Sequence, residues 1–294
     1  MREGAAIPGG VASGPVYVLT LPEAADRQEA ILRWSESHGL GREIFFHAPP
    51  STLQGKDQKK RRNTAAQPES PATRLTYQRY GRDRLQAAEL GCLIGHRRMY
   101  ERMLGSASPW ALILEDDVVP ADPHWPSRLR QLMARMEASR LRNLPWVCHL
   151  GITPDVQHTL ALRPVRWRTP SAGDASTGVG RISAPAVGQL DLRVGQLWTT
   201  HAYLISLKAA RAILEGETPG TYVADDWAIR LGTGLINPML ATMSPLFVPN
   251  CSLPSQIPER TEFSASFSGL SLPHRIYRKL RTLVYRAGLR AAVY

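Results

Sequence analysis

The sequence has few cysteines and no long hydrophobic run. Its three cysteines, Cys92, Cys148 and Cys251, are far apart and form no C-x-x-C pair, which is typical of a reducing compartment. No stretch approaches the roughly 18 to 20 apolar residues that a membrane-spanning helix needs. The N-terminus also lacks the apolar core and cleavage site of a signal peptide. We therefore expect a cytoplasmic protein that does not cross a bilayer.

Two common phosphate-binding signatures are also absent. The 294 residues contain neither the G-x-x-x-x-G-K-[ST] loop nor the G-x-G-x-x-G fingerprint. Kinase-type NTPases and classical dinucleotide-binding enzymes are thus disfavoured, and a phosphate ligand would have to be held through a metal ion. With 43% hydrophobic and 21% charged residues, the composition is that of an ordinary globular protein.

Positive charge is concentrated in two segments. The net charge is +11, of which residues 51–74 contribute +4 and residues 263–294 contribute +6 without a single acid. The rest of the chain is almost neutral, which disfavours nucleic acid as a partner. Residues 51–74 are predicted to form a mobile basic insertion, and residues 1–14 a flexible leader.

The C-terminal residues 269–294 have the pattern of a basic amphipathic helix. Apolar residues between Ile276 and Ala291 recur along one helical face, and the arginines and Lys279 lie largely on another. Such a helix either lies on an anionic membrane surface or packs against the body of the protein with its arginines in solvent. The pattern leaves both alternatives open.

Strand and helix patterns alternate along the chain. Apolar, β-branched runs predict strands, and apolar residues at steps of three and four predict helices. This alternation predicts an α/β fold with a mostly parallel sheet, in a single domain of residues 15–268. The predicted strands are 15–21, the segment REIFFHA, the apolar run before Glu115, and 146–150. The predicted helices include 85–103 and 127–142, and residues 163–189 form a stretch rich in Pro, Gly and Ser.

The triplet Glu115-Asp116-Asp117 carries the strongest chemical signal. It follows an uninterrupted apolar run, which places it at the carboxyl end of a buried strand, where open α/β sheets bind ligands. In an extended segment Glu115 and Asp117 point the same way and Asp116 points elsewhere. Paired carboxylates suit Mg²⁺ or Mn²⁺ rather than zinc. The alternative is a solvated acidic turn.

Two further groups of polar residues are candidates. Glu89 and His96 are seven residues apart and share a helical face, so both could line one pocket, although a lone histidine is more often structural. Asp225 and Asp226 begin the segment DDWAIRL. One of them could act as a general base, and acids are equally favoured at helix N-termini.

Four blocks, in order, resemble bacterial glycosyltransferase family 25, the lipooligosaccharide and lipopolysaccharide glycosyltransferases. The first block resembles the family's first strand and its arginine-containing helix, and the second its E-x-G-C-x-x-S-H helix, with Gly95 in place of serine. The third resembles its acidic strand, and the fourth its G-T-x-A-Y-x-I-S block with the following P-V-D segment. They read VYVLTLPEAADRQEAI, AELGCLIGHRRMYERML, WALILEDDVVP, and TTHAYLISLKAARAIL followed by VADD.

The resemblance implies a GT-A-like, Rossmann-related fold, a nucleotide-sugar donor and an inverting transfer. It assigns Glu115 and Asp117 to a divalent metal, Mn²⁺ or Mg²⁺, and Asp225 or Asp226, together with Glu89, to catalysis. His201 stands where the family usually has a small residue. The donor-binding candidates that the resemblance implies are Thr20, Leu21, Arg27, His96, Asp116, Thr200 and His201.

The predicted function is therefore a hexosyl transfer in lipopolysaccharide or lipooligosaccharide assembly. Galactose from UDP-galactose is the expected donor sugar, and a lipid-linked or oligosaccharide chain is the expected acceptor. The tail would then hold a cytoplasmic enzyme against the inner face of the membrane. The alternatives are a transferase of the same fold with another nucleotide sugar, or a nucleotide-sugar-binding or nucleic-acid-binding protein without turnover.

Overall fold

A β-sheet forms the centre of the part of the protein that the computed structural model describes, residues 14–21, 23–37, 44–47, 87–106, 108–151, 161–165, 184–191, 199–217 and 222–250. Its eight described strands are β1 (Val16–Leu19), β2 (Ile44–His47), β3 (Trp110–Glu115), β5 (Val147–His149), β6 (Ala161–Pro164), β7 (Val187–Asp191), β8 (Ala202–Ser206) and β9 (Met239–Thr242). They lie in the order β2-β1-β3-β8-β5-β9-β7-β6. A separate antiparallel pair joins β4 (Val118–Pro120) to β10 (Phe247–Pro249).

Six of the eight strands run in the same direction. β1 pairs in parallel with both β2 and β3, and β5 pairs in parallel with β9. β8 lies antiparallel between β3 and β5, and β7 lies antiparallel between β9 and β6. The prediction of an α/β fold with a mostly parallel sheet is therefore confirmed.

Helices cover both faces of this sheet. They are α1 (Ala25–Glu36), α2 (Ala87–Gly105), α3 (Trp125–Glu137), α4 (Leu207–Gly216) and α5 (Trp227–Gly232), with a 3₁₀ turn at Arg140–Asn143. Apolar residues of α1 and α3 pack with the even-numbered residues of β1 and β3. Those of α2, α4 and α5 pack with the odd-numbered residues of the same strands. This division follows from the two-residue period of a strand.

Side-chain caps fix two of the helix starts near the sheet. The Ser206 hydroxyl, at the end of β8, accepts a hydrogen bond from the Ala209 amide at 3.2 Å and begins α4. The Asp226 carboxylate accepts one from the Ile229 amide at 3.3 Å and begins α5. Each side-chain oxygen satisfies a backbone donor that has no partner within its helix.

Several predicted boundaries need correction. The acidic strand ends at Glu115, and Asp116 and Asp117 form a turn before β4. The helix predicted at 127–142 begins at Trp125 and ends at Glu137, and a 3₁₀ turn follows. The Pro-, Gly- and Ser-rich stretch 163–189, to which no strand was assigned, contains the end of β6 and the start of β7. Proline and glycine in this stretch hid two strands near the edge of the sheet, where such residues are tolerated.

Some predictions fall outside the described part of the chain. The leader 1–14 apart from Gly14, the basic insertion 51–74 and the tail 269–294 lie there. Among the helices that are described, none combines the length and the apolar character needed to cross a membrane.

Candidate active site at the end of strand β3

The end of β3 directs two neighbouring carboxylates to opposite faces of the sheet. Leu114 belongs to the core under α1 and α3, and Ile113 to the core under α2, α4 and α5. Continuing this alternation, Glu115 points toward α2 and contacts His96 there, whereas Asp116 points toward α1 and contacts Arg27. The sequence-based prediction that these two acids diverge is confirmed.

Asp116 is held by two donors from β1 and α1. Arg27 donates from Nη1 to Oδ1 at 2.9 Å, and the Thr20 hydroxyl donates to Oδ2 at 2.8 Å. All three side chains are buried, so the carboxylate and the guanidinium neutralise each other away from water. Next to them, the Leu21 carbonyl accepts a hydrogen bond from the Gln28 side chain at 2.9 Å. Four of the predicted donor-binding residues, Thr20, Leu21, Arg27 and Asp116, therefore lie together. Hydrogen bonds join Thr20 and Arg27 to Asp116.

Glu115 has a different set of partners, none of which is arginine or lysine among the contacts of the described residues. Its backbone amide donates to the His201 carbonyl at 2.9 Å, and its Oε1 accepts a short hydrogen bond from the Thr200 hydroxyl. His96 Nε2 lies 3.9 Å from the same oxygen. The side chain is 16% exposed, so this carboxylate remains reachable from solvent. Four predicted residues therefore meet here.

The electrostatics of Glu115 and His96 are coupled. Burial alone would raise the pKa of Glu115, but the neighbouring His96, His201 and Thr200 outweigh it and lower this pKa to about 2. Burial lowers the pKa of His96, and Glu115 opposes that effect only in part. An ionised carboxylate consequently faces a neutral imidazole at neutral pH.

A chain of buried hydroxyl groups continues from His96. Its Nδ1 lies 2.7 Å from the Tyr203 hydroxyl, which lies 2.6 Å from the Tyr100 hydroxyl. All three side chains are at most 1% exposed. Burial raises the pKa of Tyr100 to about 12 and that of Tyr203 further above its ordinary range. Both phenols are therefore neutral, and the chain carries hydrogen bonds without charge.

The other predicted acids lie around this centre. Glu89 is half-buried in the first turn of α2, two turns before His96 on the same helix. Asp117 is half-buried in the turn after β3, and its carbonyl accepts a hydrogen bond from the Asn250 amide at 2.6 Å. Because β3 ends before Asp117, the strand alternation used to orient this side chain does not extend to it.

The segment containing Asp225 and Asp226 is joined to the same edge of the sheet. The Trp227 indole donates to the Thr199 carbonyl at 2.8 Å, and Thr199 is followed by Thr200, which contacts Glu115. Asp226 is buried as the N-cap of α5, whereas Asp225 is half-buried. The two adjacent acids thus have different environments.

Residues that the sequence analysis missed hold this segment in place. Arg230 is fully buried and donates from Nε to Glu217 at 2.5 Å and from Nη1 to the Ala224 carbonyl. It also lies over the Trp227 ring, 4.8 Å from the centroid. The helical pattern of the sequence could have indicated Tyr100, since it lies four residues after His96 on one helical face. No sequence pattern indicates the Glu217–Arg230 pair, because these two residues meet only in the folded chain.

The profile of glycosyltransferase family 25 (LPS biosynthesis protein) matches residues 14–227, more than half of the sequence. The chain is a member of glycosyltransferase family 25. In this glycosyltransferase the matched range includes Glu115, Asp116, Asp117 and Asp225, and the resemblance given by the four sequence blocks is confirmed.

Two solved structures are similar to this family 25 member at a low level. One is a mannose-1-phosphate geranyltransferase from Thermus thermophilus, 12% identical with a TM-score of 0.34, covering 80% of this chain and 75% of its own. The other is a glycosyltransferase involved in the glycosylation of the major capsid of PBCV-1, 11% identical with a TM-score of 0.34, covering 85% and 99%. Neither likeness carries a functional argument. No curated protein sequence matches the chain significantly.

Proposed function

We propose that this glycosyltransferase transfers galactose from UDP-galactose to a lipopolysaccharide or lipooligosaccharide acceptor, with inversion at the anomeric carbon. The observation that carries the proposal is the ionised, partly accessible carboxylate of Glu115 at the carboxyl end of a central strand. Ligands of open α/β sheets bind at such ends. The family supplies the reaction class, and the identity of the sugar and of the acceptor is inferred from the resemblance.

Glu115 and Asp117 are the proposed ligands of a divalent ion. Their donor set fits Mn²⁺ or Mg²⁺, since both supply carboxylate oxygens close to one end of β3. When bound, such an ion would neutralise the diphosphate of the donor and assist its departure. Asp116, bonded to Arg27 and Thr20, would fix the direction of Glu115 from the opposite face.

Asp225 is the proposed general base. Inversion by a single displacement needs one group that accepts the proton of the acceptor hydroxyl, and no covalent intermediate. Asp225 is half-buried, and it is Asp226 rather than Asp225 that caps α5. The Trp227–Thr199 hydrogen bond holds its segment beside the residues that contact Glu115. The Glu217–Arg230 pair, through the Ala224 carbonyl, positions the residue directly before it.

The pair Asp225→Asn and Asp226→Asn tests this assignment. Asp225→Asn should abolish transfer while donor binding persists. Asp226→Asn should reduce transfer only mildly, because asparagine caps a helix about as well as aspartate. Transfer and donor hydrolysis are to be measured across several UDP-sugars, with and without Mn²⁺. An inactive Asp226→Asn beside an active Asp225→Asn would move the base to Asp226, and turnover unaffected by both changes would refute it.

The tail 269–294 is proposed to hold the enzyme at the inner face of the cytoplasmic membrane. The support is its sequence, in which six basic residues and no acid accompany one apolar helical face. Each basic residue near an anionic surface contributes about 1 kcal/mol. The full chain should sediment with anionic vesicles and be released by salt. Equal sedimentation with neutral vesicles would refute the electrostatic part of this proposal.

A further inference from the structure

A thiol and an imidazole lie on the same side of the sheet as Glu115. Cys92 and His96 are one helical turn apart on α2, and side chains at this spacing are neighbours on a helix surface. The Cys92 sulfur, a ring nitrogen of His96 and a carboxylate oxygen of Glu115 all lie within 4.8 Å of one another. We propose that Cys92, His96 and Glu115 form a binding site for a borderline-soft divalent ion, with Zn²⁺ as the preferred occupant.

The spacing of the three groups suits a tetrahedral ion. Zn²⁺ binds sulfur at about 2.3 Å and nitrogen or oxygen at about 2.0–2.2 Å, so that two ligand atoms on one ion lie roughly 3.3–3.8 Å apart. His96 Nε2 and Glu115 Oε1 are 3.9 Å apart, close to this separation. The remaining contraction, at most about 1.0–1.5 Å from the 4.8 Å limit, lies within the reach of side-chain rotation.

His96 is oriented as a metal ligand would be. Its Nε2 is buried and makes no hydrogen bond to any described residue, and this is the nitrogen beside Glu115. Its Nδ1 lies 2.7 Å from the Tyr203 hydroxyl. With an ion bound at Nε2, the ring proton would lie on Nδ1, and the imidazole would donate to the Tyr203 hydroxyl, which lies 2.6 Å from the Tyr100 hydroxyl. A metal-binding histidine normally donates its second ring N–H to a hydrogen-bond acceptor, which holds the ring in place.

The composition of the site determines the class of ion. Mg²⁺ and Ca²⁺ prefer oxygen ligands, whereas a thiolate and an imidazole favour Zn²⁺ and its neighbours in the transition series. Three protein ligands leave a fourth position open, as in zinc sites that bind a further molecule. Cys92 is half-buried and Glu115 is 16% exposed, so an ion can reach the site from solvent.

This inference does not rest on the proposed function, although both involve Glu115. The Mn²⁺ or Mg²⁺ ion proposed for the transfer reaction would be bound by Asp117 as well as Glu115. Asp117 does not belong to the Cys92–His96–Glu115 group. The two sites are therefore separable by substitution. Asp117→Asn removes a ligand from the first site only, and Cys92→Ser from the second only.

Cobalt titration of the full-length protein tests the proposal. Co²⁺ bound to a thiolate gives a charge-transfer absorption band. We expect this band to reach its full intensity at one Co²⁺ per chain and to disappear when Zn²⁺ displaces the Co²⁺. Cys92→Ser should lose the band. Cys148→Ala should keep it, because Cys148 packs in the core under α1 and α3, on the face of the sheet opposite to Glu115. Asp117→Asn should also keep it, whatever its effect on transfer.

Two additional measurements test the proposal even if the Cys92→Ser variant folds poorly. In the wild-type protein, Zn²⁺ should slow alkylation of Cys92, as followed by mass spectrometry of the corresponding peptide. Tyr203→Phe, which removes the acceptor of the imidazole N–H, should weaken Co²⁺ binding about 10- to 100-fold. Absence of the band in the wild-type protein, its persistence in Cys92→Ser, or alkylation unaffected by Zn²⁺ would overturn the proposal.

Discussion

Glu115 and Asp116 are adjacent in the chain, and both carboxylates are largely removed from solvent, yet their surroundings differ in charge. Arg27 compensates Asp116 at 2.9 Å. Glu115 has no arginine or lysine among its contacts with the described residues, and His96, His201 and Thr200 lower its pKa to about 2. The comparison shows how one strand end can provide both a buried ion pair and a carboxylate without an arginine or lysine partner. The second of these is the one that we propose as a cation ligand.

The largest loss of stability is expected when the Arg27–Asp116 ion pair is broken. Asp116→Ala leaves the Arg27 guanidinium buried without a counter-charge, and loss of one partner of a buried ion pair costs about 3–5 kcal/mol. We expect this loss in the free energy of unfolding, measured by urea denaturation. The double variant Arg27→Met/Asp116→Ala, which leaves no buried cation, is the matched control and should lose less than Asp116→Ala alone. An equal loss in the single and the double variant would show that the unpaired guanidinium is not the cause.

The charge of Glu115 should appear in the pH dependence of stability. The folded-state pKa is about 2 and the ordinary value is 4.5, so the unfolded chain binds more protons between these values. The stabilisation by Glu115 is therefore fully present above about pH 4.5 and is lost as the pH falls toward 2. Glu115→Gln should consequently differ most from the wild type above about pH 5 and converge with it in acid.

That pH dependence is to be measured with a chelator present, so that no bound cation contributes. The measured quantity is the free energy of unfolding of both proteins at several values between about pH 5 and pH 3. A difference that stays constant over this range would show that Glu115 keeps an ordinary pKa in the folded protein.

Two threonines offer a finer comparison. Thr20 donates to Asp116 and Thr200 donates to Glu115, and valine removes each hydroxyl at nearly constant shape. Thr200→Val should cost about 1.5–3 kcal/mol, because the charged acceptor loses its hydroxyl donor. Thr20→Val should cost about 1 kcal/mol, since Arg27 still compensates Asp116. Urea denaturation of the pair measures both, and a reversed order would contradict the charge difference described above.

The smallest effect is expected at the surface of α1. Arg33 and Glu29 form an i,i+4 ion pair at 3.8 Å, with both side chains about 70% exposed. Solvent and salt screen such a pair, so Glu29→Ala should change the free energy of unfolding by at most about 0.5 kcal/mol. This variant calibrates the effect of Asp116→Ala, since Arg27 lies on the same helix. A loss above about 1 kcal/mol would indicate a role for Glu29 beyond the ion pair.

The sequence predicted those parts of the site that depend on local periodicity. The apolar run before Glu115, the alternation of a strand and the helical spacing of Cys92 and His96 are all visible in the printed residues. The separation of Glu115 from Asp116 followed from them. The turn at Asp116–Asp117 was given only as the alternative, because the apolar residues after it continue the strand pattern although they belong to β4.

Contacts between distant segments could not be predicted in this way. Arg27 and Asp116 are 89 residues apart, and His96 and Tyr203 are 107 apart. Each pair meets only because β1, β3 and β8 are neighbours in the sheet. The position of β8, antiparallel between β3 and β5, had no signal in the sequence either, since strand order is set by the packing of the whole chain.

The alternation of β3 also limits how this strand can change in length. Loss of one residue between Trp110 and Leu114 would exchange the faces, bringing Glu115 beneath α1 beside Arg27 and leaving Asp116 beneath α2. Gain of two residues would preserve the faces and displace both acids by about 7 Å along the strand. A change in the length of this stretch therefore moves both acids at once, whereas the turn after Asp117 can change in length without exchanging the two carboxylates.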